Sequence, residues 1–191
     1  MIEINTYIGR KELGTYEENK EAADAFFVPV TSEEALAVIR SISSRNIDRG
    51  LNGAIVIQVD QNKLTTLSDW DDLDLLWTGL VIMVLDYLQN GRVGTTYSSI
   101  NGLEWSIKKV KAKPKDLLLF HSKRPNAFYD GEIESSVSIE TKATLSEMEF
   151  FHQVVSSAGN FLYLREKDSR TQHLAAFREK YNELKNLVYI Q

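Results

Sequence analysis

Cysteine is missing from this 191-residue chain, which excludes disulfides, zinc–thiolate and iron–sulfur sites, and cysteine nucleophiles. Its absence also fits a reducing compartment. Only three prolines occur (Pro29, Pro114 and Pro125), and neither repeats nor low-complexity segments are present, so little material is left for a flexible linker. The one long apolar run, residues 73–88, contains Asp74 and Asp86 and falls short of the roughly 20 apolar residues that a membrane span needs. Met1 leads straight into IEINTYI, without a basic leader region or a small-residue cleavage site. The expectation is a soluble, cytoplasmic protein.

Catalytic signatures are missing as well. Nothing matches GxSxG, SxxK with its partners or a phosphate-binding loop, and Gly91-Arg-Val-Gly94 lacks the preceding strand and third glycine of a dinucleotide fingerprint. The three histidines, His121, His152 and His173, show no HxH or HxxxH spacing that would put two imidazoles on one metal. His121 reads as a partly buried strand-end residue, and His152 and His173 as surface or boundary positions. A calcium loop counted from Asp69 would need glycine at its sixth position and glutamate at its twelfth; Asp74 and Leu80 stand there. No cofactor and no metal are expected.

What is present fits one globular domain over residues 1–191, at 43% hydrophobic and 26% charged residues, with a sizeable core. A net charge of −5 argues against general affinity for nucleic acid or anionic membrane. Strands are predicted over residues 2–8, 26–30 (at an edge, because of Pro29), 54–59, 95–100, 103–110, 116–121 and 131–141. Asn101-Gly102 marks a two-residue hairpin between the fourth and fifth of these, with Leu103, Trp105 and Ile107 on the buried face. Ile133, Ser135, Val137 and Ile139 are expected on one face of the last.

Thr31-Ser-Glu-Glu34, Thr144-Leu-Ser-Glu147 and Ser169-Arg-Thr-Gln172 have capping-box spacing and predict helix starts. Leu36, Ile39 and Ile42 would face inward from the first helix. Met148, Phe151, Val155 and Ala158 follow at helical intervals from Leu145, as do Phe177, Tyr181, Leu184 and Val188 from Leu174. Ser68-Asp-Trp-Asp71 is read as opening a central helix that Asn90-Gly91 stops. Strands and helices come in blocks, so the expected class is α+β. An antiparallel sheet of about five or six strands would pack on the central buried helix and a C-terminal helix pair.

Two charged stretches carry alternative readings. Asp69, Asp71, Asp72 and Asp74 around Trp70 are either an acid-rich helix start or an acidic, aromatic patch that docks a basic partner. Glu17, Glu18 and Glu21 form a second acidic patch in an acidic first forty residues. Residues 108–115 hold five lysines and no acid, which suits a solvated sheet edge or, less commonly, phosphate binding; no interleaved aromatics support the latter.

The segment SDWDDLDLLW at residues 68–77, the passage GEIESSVSIETKATLSEMEFFHQVVSSAGNFL at 131–162 and the acidic, cysteine-free build resemble the small immunity proteins that bacteria pair with polymorphic or contact-dependent toxins. The resemblance covers about half of the chain. It implies a non-catalytic protein that covers a toxin's active site, the partner being a toxin domain with a basic surface. Asp69, Trp70, Asp71, Asp72 and Asp74 would make the contact, with Glu17, Glu18 and Glu21 as a second patch. Two alternatives remain open. One is an enzyme or small-ligand protein with a site assembled from residues distant in sequence, for which His121, Tyr129, Asp130 and Glu132 could line a pocket mouth. The other is an adaptor in a larger complex.

Overall fold

The computed structural model describes residues 1–10, 22–45, 50–91, 93–97, 102–110, 116–125, 138–168 and 174–190. Its class is α+β with antiparallel pairing throughout. The first sheet is built on β1 (Ile2–Gly9) and β3 (Asn52–Val59), with β2 (Phe27–Pro29), which follows the single-turn helix α1 (Ala23–Phe26), on the free side of β1. Ile2, Ile4, Thr6 and Ile8 alternate inward along β1. β3 is apolar without alternation because both of its faces are covered. Ile55 and Ile57 join the main core, while Ala54 and Val56 join Phe27 and Leu67 in a smaller cluster against Tyr7, Phe26 and Trp70.

The outer edge of β3 is closed in three pieces. β5 (Asp71–Asp72) pairs with its start and β4 (Asn62–Lys63) with its end. Between them the buried Thr65 hydroxyl accepts from Ile57 N and donates to Ile55 O, both at 2.7 Å. One side chain thus satisfies the amide and carbonyl that a neighbouring strand would otherwise take.

The second sheet is a meander of β6 (Val93–Tyr97), β7 (Glu104–Val110), β8 (Leu117–Pro125) and β9 (Ser138–Ser146). Leu103, Trp105 and Ile107 are buried, as their alternation predicts. The two sheets, of five and four strands, divide what the sequence suggests as one, and both lie against the central helix α3 (Leu73–Asn90). Gly91 ends α3 in the left-handed conformation, φ 71°, that glycine adopts without strain. Helices α4 (Glu147–Glu166) and α5 (Ala175–Ile190) are the C-terminal pair, and Leu174, Phe177, Leu184 and Val188 are buried at the predicted spacing. Trp77 stacks on Phe161, which meets Phe177 edge-on, linking α3, α4 and α5. One continuous apolar core runs through both sheets and these helices.

Several local expectations are corrected. A two-residue loop at Asn101-Gly102 would set Ile100 against Leu103; instead Tyr97 lies opposite Glu104, two residues out of that register, although Gly102 does have φ 63°. Helix α2 (Ala35–Arg45) starts beyond the Thr31 box, whose Glu34 carboxylate forks onto the Arg10 guanidinium at 2.6 and 3.0 Å. Thr144-Leu-Ser stays in β9 because its ladder with β8 continues to Ser146. α4 then begins at Glu147 with no side-chain cap, and the Glu147 carboxylate accepts from the Tyr87 hydroxyl at 2.7 Å. Ile139, the described member of the face expected to carry Ile133, Ser135, Val137 and Ile139, is exposed near the start of β9. The Ser169 box and Ile133, Ser135 and Val137 lie outside the described residues.

Candidate functional site

The acidic segment before α3 is mostly a set of structural fittings. Thr66 and Asp69 form a capping box on one turn of 3-10 helix, α-helical winding beginning only at Leu73. Thr66 N donates to Asp69 Oδ2 at 2.6 Å, and Arg124 Nη1 from β8 lies 3.2 Å from Asp69 Oδ1. This pair and a Thr141 hydroxyl bond to Leu64 O tie the second sheet to the loop of the first. Asp71 sits in β5, 1% exposed, and accepts from Asp72 N at 2.7 Å.

Asp72 is the true N-cap of α3, accepting from Asp74 N and Leu75 N at 2.9 and 3.1 Å. Gly50 makes room for it, since any Cβ there would collide with the Asp72 carboxylate. Burial pushes the Asp72 carboxyl above its ordinary range despite those two amide bonds. Asp74 takes Arg165 Nε and Nη2 at 3.1 and 2.9 Å in a two-pronged pair, and the buried Arg165 also reaches Asp168 at 3.2 Å. Trp70 is half-buried against the smaller cluster.

Of the two readings of this segment, the helix start stands and the exposed acidic patch is corrected. Asp69 and Asp71 are internal, Asp72 and Asp74 are half-buried and already bonded, and Trp70 packs on its own sheet. Glu17, Glu18 and Glu21 lie outside the described residues.

What does face solvent at this end is apolar. Leu75, on the first turn of α3, is 55% exposed, and Tyr97, at the end of β6, is 67% exposed. They share the rim of a recess completed by Leu76, Thr96, Leu103 and Trp105. Its volume of ≈ 10 Å³ holds one water at most, so it can seat the tip of a side chain but not a substrate. Further along, Ile82 on α3 and Val93 on β6 are also exposed. α3 carries Asp74 and Asp86 but no lysine or arginine, and Glu104 stands opposite Tyr97 on β7.

Of the four residues of the enzymatic alternative, His121 is among the described ones. His121 lies in the middle of β8 rather than at its end, with Nε2 3.3 Å from Glu140 Oε2, and Lys142 Nζ approaches the same oxygen at 3.0 Å. Lys142 first, then His121, holds the Glu140 carboxyl below its ordinary range. Tyr129, Asp130, Glu132 and His173 lie outside the described residues, while His152 is exposed and stacks on Tyr189. Among the described residues no group of three or more His, Asp and Glu side chains is placed to hold a metal. Lys108 and Lys109 are exposed near the end of β7, Lys109 3.4 Å from Asp116; residues 111–115 are not described. No described helix is long and apolar enough to cross a membrane.

Leu75 escapes sequence reasoning because it sits in an apolar run whose neighbours Leu73, Leu76 and Trp77 are buried. The available signal was angular: Leu75 and Ile82, seven residues apart, fall about 20° from each other on a helical wheel and opposite the buried arc centred near Trp77 and Val84.

No family model, curated protein or solved structure matches this chain.

Proposed function

We propose that this chain is a non-catalytic binding protein, an immunity protein that neutralises a cognate bacterial toxin domain, and that the toxin docks on the α3–β6 face. The observation carrying this reading is the exposure of Leu75 and Tyr97 side by side over a shallow apolar recess. A large aromatic and an aliphatic side chain left in water beside a hollow the size of a side-chain tip have the composition of an interface hot spot. Glu104, opposite Tyr97 on β7, and the net charge of −5 favour a basic partner and speed encounter with it. Of the acidic residues expected to make the contact, Asp72 and Asp74 are half-buried and Asp69 and Asp71 are buried.

The neighbouring reading frame provides the test. It is expected to encode a larger protein with a toxic C-terminal domain, and co-expression of this chain is expected to restore growth. A neighbourhood without such a frame, or growth arrest that this chain does not relieve, would contradict the reading.

A further inference from the structure

No further inference is drawn: the strongest candidate, the Trp105 indole N–H, which is buried on the wall of the recess between α3 and β6 with no hydrogen-bond partner among the described residues, belongs to the docking face already described, and nothing in the structure turns it toward the recess.

Discussion

Asp72 is held between two opposed effects. Its carboxylate caps α3 through two amide bonds, while burial raises its pKa from the ordinary 3.8. A raised folded-state value means that the folded protein binds the proton more tightly than the unfolded chain. The stability linked to this group therefore falls as pH rises from 3.8 through the folded-state value. Asparagine keeps the cap acceptor and removes the charge. Asp72→Asn is expected to equal or exceed the parent in stability above that window and to flatten the pH dependence within it, whereas Asp72→Ala loses about 1 kcal/mol of capping. Denaturant unfolding across acidic pH checks both. At Arg165 the balance differs, because its charge is buried and shared by Asp74 and Asp168. Removing one acid leaves part of that charge uncompensated, so Asp74→Ala is expected to cost about 2–3 kcal/mol, and Asp74→Leu combined with Arg165→Met less than that. The sequence shows four aspartates around a tryptophan but not their partners. Asp69, Asp72 and Asp74 are engaged by Arg124, two helix amides and Arg165, and two of those three partners lie tens of residues away.

Among the elements, α3 and β6 depend on two glycines for different reasons. At Gly79 the obstacle to a side chain is the Thr96 hydroxyl; at Gly94 it is the backbone of Met83. Gly79→Ala is expected to destabilise the fold and to be rescued by Thr96→Ala, while no side-chain change rescues Gly94→Ala; thermal unfolding of the four variants separates the cases. Thr65→Val would leave Ile57 N and Ile55 O without their bridging hydroxyl, a loss of about 1–3 kcal/mol for each orphaned group. Element types were legible where periodicity was strong, as in β1, β7 and α5, and where an apolar run was bounded by turn or cap residues, as in β3 and α3. Boundaries failed where long-range bonds compete with local ones. The Thr144 spacing is a sound helix start in isolation, yet the ladder with β8 extends strand geometry to Ser146. The hairpin register failed for a related reason, since pairing of Trp105 with Thr96 over the core outweighs the local preference of Asn101-Gly102.

At the scale of the whole molecule, the proposed partner docks on the α3–β6 face. Burial of Asp69 and Asp71 shifts the predicted contact from carboxylates to Leu75 and Tyr97, whose exposure depends on how the strands divide between two sheets, which local sequence patterns do not encode. The most direct measurement is the affinity of the proposed cognate toxin domain for the parent protein, Leu75→Asp and Tyr97→Ala, each with its thermal midpoint. Each substitution is expected to leave folding intact and to weaken binding by about 30-fold or more, the loss typical of a hot-spot residue. Unchanged affinity in both variants, with the toxin still bound, would contradict the account.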